Sequence, residues 1–323
     1  MEATMTTSAD APIDIAEPVM KKAKAVHTAE SEYEFCLEIQ HLKSFRQMVD
    51  VVGSVLRHIF ITITPRKTAG GGVLLSIDTV DPNHVCMCQA RLVCDGSVST
   101  SSTSFCVDTE TLIHCLRNVP KSHTLQLMQK KGSAEVTIKS FDGLTKKVDL
   151  SFEMATFDET PETMEIDALE FEYYTEADMP SLRGMIKLAK DLHCELLNLT
   201  MYVDAAGKGA ATGTREAILA VSGRGQSASF TRFMPSVVRM DMTKTGETGN
   251  SVNDGIASMD TSKLTACAGA EYSLEYLTKM LKSMEDQSVR VKTGDDMPLL
   301  LHYALGVEDS FVRFVLAPRG DEE

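Results

Sequence analysis

One plan of secondary structure occurs twice in this chain, and the duplication constrains the fold strongly. In the first copy a strand pattern at 35–39 is followed by helically spaced apolar residues from Phe45 to Leu56. A second helix is predicted at 109–118, with Asp108 as its N-cap. Alternating apolar residues predict the strands of this copy at 59–64, 72–78, 84–94, 124–128 and 135–140.

The second copy repeats this order after residue 178. Pro180 opens a helix, and a fourth helix is predicted at about 273–284. Strands are predicted at 197–203, 216–222 and 227–234, and a closing hairpin turns at 293–296. The sequence therefore predicts an α+β fold of two similar domains, each with two helices packed on antiparallel sheets.

Composition suggests where the domains begin and end. Residues 1–33 are polar and rich in small residues, which predicts a disordered extension. Residues 151–178 carry ten Asp or Glu and no Lys or Arg, which predicts an acidic loop between the domains. The predicted domains are therefore 34–150 and 179–323.

Composition also excludes several classes of protein. No apolar run approaches the roughly 18–20 residues that span a bilayer. The eight cysteines include no CxxC pair, which indicates a reducing compartment rather than a disulfide framework. The net charge of −14 does not exclude nucleic acid, because binding depends on local potential and not on the sum over all faces.

Basic residues recur at helical spacing in all four predicted helices. Arg183, Lys187 and Lys190 are spaced i, i+4 and i+7 in the third, on the side away from its apolar residues. The other three helices carry Lys279 and Lys282, His114 and Arg117, and Lys43, Arg46 and Arg57. One such stripe is usually a solvated face, but four in an acidic protein suggest that the helices share one basic surface.

Three motifs carry a resemblance to a known family. The chain ends in Asp296-Met297-Pro298-Leu299 followed by Leu316-Ala317-Pro318-Arg319. A strand and turn run from Gly72 to Val85, and Met179-Pro180-Ser181 leads into the third helix. Together these stretches resemble the proliferating cell nuclear antigen family, the eukaryotic DNA sliding clamps, over nearly everything after residue 34.

The resemblance implies a homotrimeric ring of two-domain subunits whose helices line a hole for double-stranded DNA. Such a ring is not an enzyme and needs no cofactor. The family's DNA-facing positions fall on Arg46, His114, Arg117, Lys187, Lys190 and Lys282, and helical spacing adds Arg183 and Lys279. Contacts of this kind go to phosphates and do not read base sequence.

The resemblance also implies a groove beneath the interdomain segment. In the family, DNA polymerase, clamp loader, nuclease and ligase dock there through short peptides. The matching residues here are Val80, His84, Val85, Met87, Ile166, Ala168, Leu169, Tyr173, Met297, Pro298, Ala317 and Pro318.

Several positions depart from the family pattern. Gln47 and Gly53 stand where the family usually has lysines, which predicts a weaker DNA contact at the first helix. The interdomain segment has Asp167-Ala168-Leu169 in place of Gly-Ile-Pro, and Val315 replaces an aromatic residue. With the longer loops at 204–214 and 244–255, these differences suggest a divergent or virus-encoded member.

Two classes of function other than the clamp are compatible with parts of the sequence. An enzyme could use His84, Cys86 and Cys88, which alternate along one strand, but no fourth zinc ligand follows at suitable spacing. The glycines at 207–209 and 223–225 lack a phosphate-loop pattern. The second alternative is a related checkpoint or viral processivity subunit that acts as a monomer, dimer or heterotrimer.

The family analogy further predicts how the ring closes and where it works. Strand 146–152 of one subunit is expected to pair with strand 227–233 of the next. The expected location is the nucleus, or a viral replication compartment if the chain is encoded by a virus.

Overall fold

The computed structural model describes residues 32–67, 71–99, 101–158, 169, 171, 173–204, 217–236, 238–240, 264–282 and 288–319. Four of the predicted features lie outside these residues. They are the N-terminal extension up to residue 31, the groove residues Ile166 and Ala168, the loop at 205–214 and the loop at 244–255.

The first half contains two helices, α1 (Leu42–Gly53) and α2 (Thr109–Arg117). Its strands are β1 (Tyr33–Ile39), β2 (His58–Pro65), β3 (Val73–Val80), β4 (Cys86–Val98), β5 (Thr103–Asp108), β6 (Thr124–Lys130), β7 (Glu135–Phe141) and β8 (Val148–Ala155).

The second half repeats the order of one strand, a helix, a run of strands, a second helix and three strands. Its helices are α3 (Met179–Asp191) and α4 (Leu274–Lys282). Its strands are β9 (Tyr173–Asp178), β10 (Leu196–Asp204), β11 (Ala217–Arg224), β12 (Ser229–Ser236), β13 (Val238–Met240), β14 (Leu264–Ser273), β15 (Ser288–Lys292), β16 (Leu299–Ala304) and β17 (Phe311–Leu316). The predicted α+β duplication is confirmed.

Two helices begin at matching aspartate caps. The Asp108 side chain accepts a hydrogen bond from Thr111 N at 2.7 Å, and Asp178 accepts one from Ser181 N at 2.9 Å. Each carboxylate accepts a hydrogen bond from a backbone amide that has no partner within the helix. Its negative charge is also stabilised by the positive end of the helix dipole. The predicted cap at Asp108 is confirmed, and Asp178 is its counterpart in the second half.

One sheet runs without a break through both halves. Its order is β13-β9-β15-β16-β17-β4-β1-β6-β7-β8, and β2, β3 and β5 extend it beside β4. The halves meet where β17 pairs antiparallel with β4, with Phe314 opposite Cys88. A second sheet has the order β12-β11-β10-β14.

The helices and the inner faces of the strands enclose one large apolar core. Met48 of α1, Met280 of α4, Phe314 of β17 and Leu75 of β3 are among its fully buried members. Burial of this continuous area fixes the helices against the sheets. Among the described residues, none of the helices is long and apolar enough to cross a membrane.

Four strands were not anticipated from the sequence pattern: β5, β9, β13 and β14. The acidic stretch 151–178, predicted as a loop, begins inside β8 and ends with β9, and most of the residues between these strands lie outside the described ones. The strands β5 and β14 were missed because β5 is short and β14 is rich in alanine and glycine, which have low strand propensity. The strand β14 is stabilised by antiparallel pairing with β10 along its whole length.

Candidate functional site

All four helices lie side by side in one layer. The helix α1 contacts both α2 and α4, and α4 in turn contacts α3. Their apolar sides face the core, so their polar sides form a common outer surface. The sequence suggested this arrangement from the four basic stripes.

Most of the predicted DNA-facing residues are exposed on this helix layer. His114 and Arg117 are exposed on α2, Lys187 and Lys190 on α3, and Lys282 on α4. The remaining candidate on α4, Lys279, is half-buried and lies 2.6 Å from Glu275. Its charge is therefore partly neutralised within α4.

Arg46 and Arg183 hold helices together instead of pointing freely outward. Arg46 donates from Nη2 to Leu116 O at 2.6 Å and also to Val119 O. Arg183 donates from Nε to Leu281 O at 3.1 Å. These bonds satisfy carbonyls at the ends of α2 and α4, where the helix dipole favours positive charge. Both arginines are half-buried, and their role as DNA-facing residues stays a prediction.

The two arginine contacts are equivalent in the duplicated halves. Arg46 and Arg183 each occupy the fifth position of their helix, and Leu116 and Leu281 each occupy the eighth. The sequence pattern did not predict these interhelical hydrogen bonds, because i, i+4 spacing identifies the face of a helix but not the element that packs against it. The residue that a long side chain reaches is fixed only by helix packing.

The first helix has a structural reason to lack a lysine at residue 53. A Cβ on Gly53 would clash with the side chain of Thr109 and lie 2.9 Å from Ile113 Cδ1. Gly53 therefore permits the close approach of α1 to α2.

Near Gly53, burial raises the pKa of Asp50, and the charges of Arg117 and Arg46 offset part of this increase. The helices of the second half carry five Lys or Arg, whereas those of the first half carry three.

The predicted groove residues that come together form a second, smaller apolar cluster on the outer face of the large sheet. Met87 is buried there with Phe171, Leu300 and Val315, and further apolar side chains pack around them: Val80, Leu169 and Met297. Four predicted groove residues therefore share one site. We call this cluster the outer groove.

Strand register explains how the outer groove assembles. Leu300 lies opposite Val315, Val315 opposite Met87, and Met87 opposite Val80. Side chains directly opposite each other across antiparallel strands are close neighbours. Leu300, Val315 and Phe171 were not among the predicted groove residues. The apolar run at 299–301 was a signal for Leu300, since it indicates a strand buried on both faces.

The other predicted groove residues are placed differently. His84 is exposed in a turn at φ 57°, and Val85 packs against the main core. Pro298, Ala317 and Pro318 are half-buried at the strand ends, where Ala317 N donates to Val85 O at 2.9 Å. His84 and Val85 are thus not members of the apolar cluster, because Asp81 folds the turn that carries them. Tyr173 begins β9.

Asp81 ties this turn to the second half of the chain. Its buried carboxylate accepts hydrogen bonds from Val85 N at 2.8 Å and from the Tyr276 hydroxyl at 2.6 Å. Tyr276 accepts in turn from Asn83 Nδ2 at 3.0 Å. Burial alone would raise the pKa of Asp81, but the hydrogen bonds from Tyr276 and the backbone outweigh it and lower the pKa. Asp81 therefore stays ionised and joins the β3–β4 turn to α4.

Substituting Tyr276→Phe is expected to lower the free energy of unfolding by about 1.5–3 kcal/mol, because it leaves a buried carboxylate without its hydroxyl donor. Because folding lowers the pKa of Asp81, its carboxylate stabilises the folded state at pH values above about 3.8, the ordinary pKa of an aspartate. This stabilisation is lost as the pH falls through the pKa that Asp81 has in the folded protein. Denaturant titrations at pH 7 and pH 3 should therefore show a larger effect at pH 7. Tyr202→Phe is the matched control, and an equal loss in both variants would contradict this role for Tyr276.

The alternative zinc site is not formed. Cys86 and Cys88 are buried in the main core, whereas His84 is exposed. Burial raises the pKa of both thiols, which keeps them protonated and poor metal ligands. Within the described ranges no group of three His, Cys, Asp or Glu is placed to hold a metal ion.

Similarity to known proteins is found in structure rather than in sequence. No protein-family profile and no curated protein sequence matches this chain. The PCNA of Thermococcus kodakaraensis is similar with a TM-score of 0.66 and 17% identity, over 88% of this chain and 100% of that chain. The proliferating cellular nuclear antigen of Entamoeba histolytica gives a TM-score of 0.66 and 13% identity, over 89% and 100%. The chain therefore has the PCNA-like clamp fold.

Proposed function

We propose that this chain is a subunit of a DNA sliding clamp, a non-enzymatic ring that holds duplex DNA and tethers replication proteins. The observation that carries the proposal is the single layer of four helices, which exposes Lys187, Lys190 and Lys282 in a protein of net charge −14. Hydrated lysines contact phosphates without reading sequence, so the ring can move along the duplex. The expected site of action is the nucleus or a viral replication compartment.

The proposed ring is a homotrimer closed by pairing between sheet edges. Among the described strands, β8 pairs with β7 and β12 with β11, which leaves one long side of each available. Both edges also expose an apolar side chain: Val148 is 51% exposed and Phe233 is 43% exposed. Free edges of this length are normally covered or paired. Head-to-tail pairing of β8 with β12 satisfies both edges and closes a ring.

The proposed partners are a DNA polymerase, a clamp loader, a nuclease and a ligase, which dock through short peptides with aliphatic and aromatic anchors. The outer groove supplies apolar contact for such anchors. Phe171 is only 7% exposed among Met87, Leu300 and Val315, so an entering anchor would have to displace it. Docking is therefore expected to move the segment that carries Phe171.

Retention on DNA tests the proposed function. The purified chain, a clamp loader and ATP are incubated with nicked circular duplex DNA, and bound protein is separated by gel filtration. A topological ring is retained on circles and released when the DNA is cut once. Equal retention on circular and linear DNA would contradict encirclement. A monomeric or dimeric mass by light scattering would instead favour the related processivity or checkpoint subunit.

Substituting Met87→Ser is expected to weaken binding of an anchor-bearing peptide by about 1–3 kcal/mol, because Met87 is central to the apolar cluster. Isothermal titration calorimetry measures the difference. Leu144→Ser is the control, since Leu144 is 94% exposed in the turn before β8. Unchanged isotherms for Met87→Ser would show that the peptide binds elsewhere.

A further inference from the structure

The two halves of the chain are joined through one strand pair, β17 with β4. At this internal junction Phe314 lies opposite Cys88 and Val312 lies opposite Ala90, and all four side chains are buried. Because the chain is a duplication, β17 and β4 each have a counterpart in the other half. The counterparts are β8 and β12, the two edge strands that the proposed ring brings together.

Burial aligns β8 with β17. The strands before them, β7 and β16, each bury three alternate residues on the inner face: Val136, Ile138 and Ser140 in β7, and Leu299, Leu301 and Tyr303 in β16. The central residue of each set lies opposite Phe152 in the first half and opposite Phe314 in the second. Phe152 is therefore the counterpart of Phe314.

Strand register aligns β12 with β4. The residue that precedes α2 and the residue that precedes α4 are equivalent positions of the duplication. Strand pairing followed from these two residues, through β2 and β3 in the first half and through β10 and β11 in the second, leads to Ala90 and Arg232. Two residues earlier on each strand, Phe230 is the counterpart of Cys88.

The burial of these counterparts differs in the way that a missing partner strand would cause. Phe314 and Cys88 are fully buried at the internal junction. Phe152 and Phe230 also pack against the main core, but each is only half-buried at its edge strand. A strand from a second copy of the chain would cover the remaining apolar surface of both rings, which is favourable.

We propose that β8 of one subunit pairs with β12 of the next in the register of the internal junction, which sets Phe152 directly opposite Phe230 of the next subunit. This inference rests on the proposed ring. Aromatic residues directly opposite each other stabilise an antiparallel strand pair. In the same register Leu150 lies opposite Arg232, whose apolar stem covers it while the guanidinium stays hydrated.

This register differs from an end-to-end pairing of the ranges 146–152 and 227–233. End-to-end pairing sets Leu150, which is on the inner face opposite a buried residue of β7, against Ser229, which is on the outer face of β12. Residues directly opposite each other share a face, and a shift of one residue turns every side chain to the other face. The proposed register sets Leu150 against Arg232, an inner-face residue three positions further along β12.

Disulfide trapping tests the register. Ser151 and Thr231 are exposed on the two edge strands, and they lie opposite each other in the proposed register. The full chain carrying Ser151→Cys and Thr231→Cys is oxidised with copper phenanthroline, and covalent dimers and trimers are measured by non-reducing gel electrophoresis. Their yield should be about tenfold or more above that of off-register pairs, because a disulfide requires Cα atoms within about 7 Å.

The matched controls move one cysteine along β12. Ser151→Cys is combined with Ser229→Cys, which is about 7 Å from position 231 along the strand, or with Ala228→Cys, which faces Ser151 only in the end-to-end register. Each single variant reports crosslinking through the native cysteines. Light scattering of every reduced variant shows whether the assembly mass is unchanged.

The outcomes separate the register from the ring itself. Crosslinking by either off-register pair, and not by the Ser151→Cys/Thr231→Cys pair, would reject the register while the ring stands. An assembly of unchanged mass that no pair crosslinks would show that the subunits meet through other strands. Crosslinking by Ser151→Cys alone would mean that two copies of β8 meet, and a monomeric mass of the reduced wild type would reject the proposed ring.

Discussion

Polymerase products on a primed template should become about tenfold shorter or more when Lys187, Lys190 and Lys282 are replaced together by alanine. These exposed lysines lie on α3 and α4, where the helix layer carries most of its positive charge. Each lost phosphate contact removes about one unit from the slope of log affinity against log salt. The assay requires the clamp loader, near-physiological salt and a trap for free polymerase, so that product length reports processivity.

The control for this variant removes the same charge elsewhere. Lys67, Lys130 and Lys131 are exposed outside the helices, and their replacement by alanine should leave product length unchanged. The lysine variant of α3 and α4 should also keep its assembly mass and its peptide affinity. Wild-type product lengths from that variant would mean that the helix layer is only a solvated surface.

Substituting Phe233→Asp is expected to convert the proposed trimer to separate subunits. Phe233 is 43% exposed on the edge strand β12 and contacts the Tyr202 ring edge-on, so the change removes one aromatic contact from the isolated subunit. In a ring closed by β8 and β12 the same side chain is buried, and an unpaired carboxylate there is strongly unfavourable. Light scattering should show a fall to the subunit mass of 35.3 kDa.

A second exposed apolar residue provides the comparison for the edge variant. Leu188 is 38% exposed on α3, outside the edge strands β8 and β12, and Leu188→Asp should leave the proposed trimer intact. If Phe233→Asp keeps the wild-type mass at micromolar concentration, the ring does not close through β12. If both variants dissociate, the loss is a general effect of added negative charge.

Local sequence signals led to correct predictions wherever a single segment contains the cause. Asp108 caps α2 as expected because the amide it binds lies three residues away. The four helices follow from apolar periodicity, and the duplication follows from the repeated order of elements. The terminal motifs that resembled the clamp family correspond to the fold found by structural comparison.

Contacts between distant segments were decided only by the tertiary structure. Arg46 and Lys187 both belong to basic helical stripes, yet Arg46 binds carbonyls of the α2 terminus while Lys187 is exposed. Periodicity places a residue on a helix face but cannot identify which neighbour packs there. The outer groove shows the same limit, since Phe171 joins Met87 through packing between segments far apart in sequence.

The sequence by itself therefore determined the duplicated α+β plan, the Asp108 cap and the basic stripes, because these depend on neighbours within a few positions. The tertiary structure decided the single helix layer and the alignment of Leu300, Val315 and Met87 in the outer groove. Strand register creates that alignment from separate strands. Register depends on burying one face of the whole sheet, which no single segment specifies.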